Sequence, residues 1–134
     1  MSNPVVLADT SLLIDFFRKR NKANTAYFQL QRQYGITISM ITVFEFKIGA
    51  LNELQRREYE VFLQTVTILP LTEDCIEEAI SVYNKLKRRN ARIGLADTLI
   101  AATALANDLS LATLNTEHFA RVEHLSLVAL SNAQ

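Results

Sequence analysis

The feature that most constrains this chain is an unbroken run of four apolar residues, Val5 to Ala8, that leads directly into Asp9, Thr10 and Ser11. A strand with one solvated face alternates apolar and polar residues, whereas an unbroken run is typical of a strand buried on both faces, as in a parallel sheet. Open α/β sheets bind their ligands at the carboxyl ends of the strands. Asp9 is therefore predicted to lie at a ligand-binding edge, where a desolvated carboxylate requires a cation or several hydrogen bonds.

Length and composition narrow the class of protein. A chain of 134 residues is expected to form a single domain, residues 1–134, and its 49% hydrophobic and 21% charged content is typical of folded domains. The sequence contains no glycine-rich phosphate-binding motif, and its single cysteine provides neither an internal disulfide nor a zinc cluster. A net charge of zero argues against a uniformly polyanion-binding surface but allows local basic patches. Without a signal-like segment or a long apolar run, the prediction is a cytoplasmic protein that does not enter the membrane.

Short apolar segments alternate with helical patterns along the chain. This alternation predicts a three-layer α/β/α fold around a central, mostly parallel sheet of four to five short strands. We expect Thr10 or Ser11 to be the N-cap of the first helix, Gly35 to end the second and Thr72 to cap the fifth. The predicted strands are 5–8, 36–40, 67–70, 110–114 and 125–130; the predicted helices are 12–17, 26–34, 41–50, 53–66, 72–89 and 96–107, with a loop or single helical turn at 115–119.

Three acidic residues lie among apolar or small neighbours: two follow predicted strands, and the third begins a predicted helix of small residues that can pack close to the sheet. They are Asp9, Glu45 and Asp97, and the turn that contains Asn115 and Glu117 falls at the same edge of the sheet. Carboxylates that converge in a low dielectric repel one another unless a cation lies between them, and Mg²⁺ is held by such oxygen ligands. Considered singly, Asp9 and Asp97 also fit helix caps and Glu45 fits a helix-edge side chain reaching solvent. Their joint placement favours a metal site.

Four motifs occur in an order that resembles one known family. They are Ala8–Ile14, Ile41–Phe46, Ile93–Ala102 and Thr113–Thr116, with Phe119 following the last. Together they are similar to the motifs of PIN-domain ribonucleases, specifically the VapC-like toxins of bacterial toxin–antitoxin pairs. The resemblance covers essentially the whole chain, and the motif around Asp97 is the most specific of the four.

The resemblance implies an Mg²⁺- or Mn²⁺-dependent endoribonuclease that hydrolyses RNA with a metal-activated water. It also implies a cognate antitoxin that blocks the site, a toxin homodimer and a toxin–antitoxin hetero-oligomer. Transferred motif by motif, Asp9, Glu45 and Asp97 are the metal ligands. Thr10 or Ser11 matches a hydroxyl that orients the ligands or a water molecule.

The chain departs from the family pattern at the fourth acidic position. Asn115 and His118 stand where many relatives carry an acid, with Glu117 between them. We expect one firmly held ion and a second that is weaker or depends on substrate, with Asn115 or Glu117 completing the shell. Arg92, five residues before Asp97, is the cation best placed to hold the RNA.

The substitutions at positions 115 and 118 leave a second interpretation open. A PIN-like domain with weak or no catalysis would serve as an RNA- or protein-binding module. Cleavage of RNA with Mg²⁺ or Mn²⁺ separates the two.

Overall fold

A computed structural model describes residues 4–130 of the chain, and four strands alternate with seven α-helices in this range. Each element has the place in the chain that its apolar pattern predicts. A 3₁₀ turn, Lys22–Asn24, joins the first two helices. The strands are β1 (Val5–Ala8), β2 (Gly35–Ser39), β3 (Thr67–Leu69) and β4 (Leu111–Ala112), and the helices are α1 (Thr10–Arg18), α2 (Ala26–Gln31), α3 (Met40–Ile48), α4 (Glu53–Leu63), α5 (Glu73–Arg88), α6 (Leu95–Ala106) and α7 (Thr116–Phe119).

The four strands form one parallel sheet in the order β3-β2-β1-β4. The strand that carries Asp9 at its end is therefore central, with β2 on one side and β4 on the other. Because all four strands run in the same direction, their carboxyl ends meet at one edge. This arrangement confirms the predicted sheet and gathers the segments after β1, β2 and β4.

Helices cover both faces of the sheet, as the apolar run of β1 predicts. Val6 and Ala8 belong to an apolar core that also contains residues of α1, α2, α3 and α4. Leu7 points the other way, into a second core formed with α5, α6 and α7. Successive strand residues face opposite sides, so a strand between two cores must be apolar at every position.

Local details differ from the sequence-based expectations at three places. The N-cap of α1 is Asp9, not Thr10 or Ser11, because both hydroxyls bond to carboxylates instead. Helix α2 ends at Gln31, and Gly35 begins β2. The expected last strand at 125–130 is reduced to a single parallel bridge between Leu111 and Leu127, beside β4.

The predicted cap of the fifth helix is confirmed. The Thr72 side chain accepts a hydrogen bond from the Cys75 backbone N–H and caps α5. In the part of the chain that the structure describes, every helix is too short or too polar to cross a lipid bilayer.

Candidate metal-dependent active site

Asp9 is the most buried of the three predicted acidic ligands, with 4% of its surface exposed. Its Oδ2 accepts hydrogen bonds from the hydroxyls of Ser11, at 2.8 Å, and Thr113, at 2.7 Å. Ser11 lies in the first turn of α1 and Thr113 directly follows β4, so two elements hold one oxygen. Within residues 4–130, Oδ1 takes part in no hydrogen bond, and no fully buried side-chain oxygen or nitrogen lacks a partner. Oδ1 is therefore the oxygen free to bind a ligand.

Glu45 is held beside Asp9 through the next residue in the chain. The Thr10 hydroxyl donates to Glu45 Oε1 at 2.8 Å and lies 2.9 Å from the hydroxyl of Thr42, which is fully buried. The buried Phe46 ring stacks on Tyr59, with ring centroids 3.8 Å apart, and this contact fixes α3 against α4. Glu45 is thus positioned by a packed helix and by a hydroxyl. A side chain extended freely into solvent would have neither constraint.

Asp97 lies in the first turn of α6 but does not cap it. The N-cap position is Gly94, so the alternative of a capping Asp97 is excluded. Burial raises the pKa of the Asp97 carboxyl, and the negative charge of Asp9 raises it further, while His118 acts in the opposite direction. Two carboxylates from different elements, the end of β1 and the start of α6, are therefore near enough to repel each other.

The turn after β4 places His118 and Asn115 next to Asp97. His118 Nδ1 lies 3.7 Å from Asp97 Oδ2 and 2.9 Å from the amide nitrogen of Asn115. An imidazole nitrogen either carries one hydrogen or offers one lone pair, so Nδ1 bonds to one of these partners at a time. Glu117 is exposed, and within residues 4–130 its side chain makes no hydrogen bond or ion pair.

The donor set fits an oxygen-liganded divalent cation. Among residues 4–130, no group of three or more His, Cys, Asp or Glu side chains lies close enough together to hold an ion by itself. Mg²⁺ is commonly held by one or two carboxylates and completes its shell with water and substrate phosphates. Asp9 and Asp97 supply that number, and Glu45 is linked to this pair through the hydroxyl of Thr10, the residue after Asp9.

Two further residues bear on the site: Arg92, which was predicted to contact RNA, and Thr113, which was not predicted to contact Asp9. Arg92 is exposed, and its backbone oxygen accepts a hydrogen bond from Arg121 at 3.2 Å. Thr113 was identified only as part of a motif, yet it is 1% exposed and donates directly to Asp9. The available signal was its position, since a hydroxyl directly after a buried strand next to β1 points toward the same edge.

Comparison with known proteins identifies the family. The family model of the PIN domain matches residues 6–125. The chain is a PIN-domain protein.

This PIN-domain protein is similar to two VapC ribonucleases and to one chain of a toxin–antitoxin complex. It is 34% identical to Ribonuclease VapC1 of Methanocaldococcus jannaschii over 122 residues, which are 91% of this chain and 84% of the relative. It is 35% identical to Ribonuclease VapC10 of Mycobacterium tuberculosis, covering 90% of both chains. A solved toxin–antitoxin complex from Klebsiella pneumoniae contains a chain that is 29% identical, with a TM-score of 0.75 and coverage of 92% and 96%. Within the PIN-domain family, the chain belongs with the VapC ribonucleases.

Proposed function

We propose that this PIN-domain chain is an endoribonuclease toxin that hydrolyses RNA phosphodiester bonds with Mg²⁺ or Mn²⁺ bound by Asp9, Glu45 and Asp97. The observation that supports it most directly is the approach of Asp9 and Asp97 at one edge of the sheet. Like charges brought together in a partly buried site destabilise the protein unless a cation offsets them. Their position at the strand ends, where substrates of such sheets bind, agrees with catalysis.

Each residue of the site has a distinct task in this proposal. A bound divalent ion would supply an activated water and neutralise charge on the phosphate. Ser11 and Thr113 hold Oδ2 of Asp9, so Oδ1 would be the oxygen that binds the ion. Thr10 orients Glu45, and Asn115, whose amide nitrogen bonds to His118, has its amide oxygen available as a further ligand. Glu117 would complete the shell only after a change of rotamer, and Arg92 would contact the RNA from its exposed position.

The partner in the proposal is a cognate antitoxin. The structure from Klebsiella pneumoniae is described as a toxin–antitoxin complex, and its toxin-like chain aligns over almost the whole length of this one. We therefore infer a toxin–antitoxin hetero-oligomer for this chain, with a toxin homodimer in it, and RNA cleavage in the cytoplasm after release of the antitoxin.

The decisive experiment incubates purified, antitoxin-free protein with cellular RNA in Mg²⁺, in Mn²⁺ and in EDTA. Cleavage is expected with either metal and none in EDTA. Asp97→Asn should reduce cleavage by at least about 100-fold, since it removes a ligand charge from the metal site. Asp108→Asn is the matched control, because Asp108 is exposed at the other end of α6 and its positive φ of 53° suits Asn. It should cleave like the wild type.

Two results would contradict the proposal. Cleavage that survives Asp97→Asn at the wild-type rate would place the chemistry elsewhere or in a contaminating nuclease. Binding of RNA without cleavage in either metal would instead support the non-catalytic RNA-binding module.

A further inference from the structure

A cavity of about 170 Å³ lies between α5 and the turn that follows α7, outside the acidic site. Its floor is apolar and includes Val82, Leu86 and Val122, all buried. Its rim carries three cations that come from two separate segments: Lys85 and Arg89 from the end of α5, and Arg121 from the turn. The helix dipole favours cations at a helix C-terminus, which explains the presence of Lys85. It does not explain why Arg121, from a different segment, lies at the same cavity.

The two arginines are held in place by backbone oxygens. Arg89 Nη2 donates to the Arg121 carbonyl at 2.6 Å, and Arg121 Nη1 donates to the Arg92 carbonyl at 3.2 Å. Bonds to neutral carbonyls position a guanidinium without cancelling its charge. One acid competes, since Glu123 lies 3.5 Å from Arg89, but both side chains are about half exposed and such a pair is weak. Within residues 4–130, Lys85 makes no ion pair.

The other acid of the cavity is distant from this cluster. Glu78 precedes Lys85 by seven residues on α5, which at 1.5 Å per residue is about 10 Å along the helix. The end of the cavity nearest Arg89 is therefore net positive, while its opposite end is acidic.

The positive end of the cavity and the acidic site are formed by the same two chain segments. Arg92, whose carbonyl holds Arg121, precedes Asp97 by five residues, and Arg121 follows His118 by three. His118 and Asp97 are themselves 3.7 Å apart. The same two chain segments thus end in the candidate active site on one side and in the cation cluster on the other.

We propose that Lys85, Arg89 and Arg121 bind a backbone phosphate of the RNA strand beyond the scissile bond. This inference rests on the proposed ribonuclease function and adds a second anchoring point to it. Guanidinium groups bind phosphate oxygens with paired hydrogen bonds, and phosphate contacts fix the register of a nucleic acid without reading its sequence. The apolar floor gives the sugar or base of that nucleotide a surface to pack against.

The test measures affinity for a short labelled single-stranded RNA by fluorescence anisotropy, with every variant in the Asp97→Asn background so that no RNA is cut. In K85Q/R89Q, affinity should fall about tenfold or more, the effect of losing a charge-assisted hydrogen bond. The slope of log affinity against log salt should decrease by about 1 to 1.5, as expected when two cations no longer contact a single strand. The matched control K87Q/R88Q removes two charges from the same helix end but outside the cavity, and should change affinity less than about twofold.

For a second variant we expect RNA affinity to rise instead of fall. Glu123→Gln frees Arg89 from its competing carboxylate, so RNA affinity should rise about two- to threefold, and this gain should disappear in the K85Q/R89Q background. Circular dichroism of each variant establishes that it is folded.

Three outcomes would overturn the inference. Equal losses in K85Q/R89Q and K87Q/R88Q would mean diffuse attraction without a site. Unchanged or weaker RNA binding by Glu123→Gln would mean that Arg89 does not contact the phosphate. Saturation by inorganic phosphate alone, at the concentration where RNA saturates, would assign the cavity to free phosphate. Failure of the ribonuclease proposal is recognised separately, as absence of cleavage by protein that still binds RNA through this cluster.

Discussion

Replacing Thr113 by Val tests how the buried Asp9 carboxylate is supported. The change keeps the shape of the side chain and removes a hydroxyl that is 1% exposed, donates to Asp9 Oδ2 at 2.7 Å and accepts from the Asn115 N–H at 2.9 Å. Hydrogen bonds to charged groups contribute about 1.5–3 kcal/mol, about twice the value for neutral pairs. Asn115 is only half-buried, so solvent replaces part of its lost bond. The expected cost is about 2–3 kcal/mol of unfolding free energy.

Urea denaturation followed by circular dichroism measures this cost, because the chain has no tryptophan to report on unfolding. With a typical urea dependence of about 1.5 kcal/mol per molar, the midpoint should fall by about 1.3–2 M. Thr103→Val is the matched control. Thr103 is also 1% exposed, but its hydroxyl donates to the neutral Leu99 carbonyl of its own helix at 2.8 Å. Its loss should cost about 1 kcal/mol or less.

A double-mutant cycle with Asp9→Asn decides whether the charge is the cause. In that background Thr113→Val should be less costly by about 1 kcal/mol or more, because the acceptor is neutral. The reasoning is refuted if Thr113→Val costs the same with Asp9 or Asn at position 9, or no more than Thr103→Val. In the catalytic assay, we expect Thr113→Val to require about tenfold more Mg²⁺, as seen when partners of metal ligands are removed.

Three further predictions concern pH and stability. Asp97→Asn should stabilise the metal-free protein at neutral pH. Burial and the charge of Asp9 raise the pKa of Asp97, so the folded state binds the proton of this carboxyl more tightly than the unfolded state does. The stability of the wild type should therefore rise as pH falls through that pKa. The stability advantage of the variant, measured by thermal melts in EDTA, should shrink over the same range. Burial raises the pKa of Tyr27 from 10.0 to about 12, so the stability that depends on its neutral form is lost as pH rises from about 10 to 12; Tyr27→Phe should flatten the decline in that window, followed by circular dichroism. Thr72→Ala removes the cap bond to the Cys75 N–H and should cost about 1 kcal/mol in urea without altering RNA cleavage.

The parts of the molecule that the sequence predicts well are those governed by local pattern. The run from Val5 to Ala8 identifies a doubly buried strand because Val6 and Ala8 pack in one core and Leu7 in the other, while Val5 at its start is partly exposed. Likewise, Asp9 could be assigned to the carboxyl edge because it ends a strand, and Asp97 because it begins a helix of small residues that can pack close to the sheet. Pattern and topology together were sufficient for the fold and for the acids that approach one another.

The errors occur where tertiary contacts override local preference. Thr10 and Ser11 have the usual chemistry of N-caps, yet both hydroxyls bond to carboxylates that only folding brings near. Residues 125–130 have strand-like composition, but the strand beside them, β4, is only two residues long, so they form a single bridge with it. The bond from Thr113 to Asp9 crosses 104 positions, so no window of sequence contains it.

That same separation bears on when the protein becomes active during its synthesis. A ribosome that has released only the first hundred residues has made Asp9, Glu45 and Asp97, but not the hydroxyl that holds the first of them. β4, which pairs with β1, is missing as well, and so is the turn that carries His118. The candidate site is therefore completed only when the segment after α6 joins the strand that carries Asp9. In a protein whose proposed substrate is RNA, a nascent chain would remain inactive until that segment has been synthesised and folded.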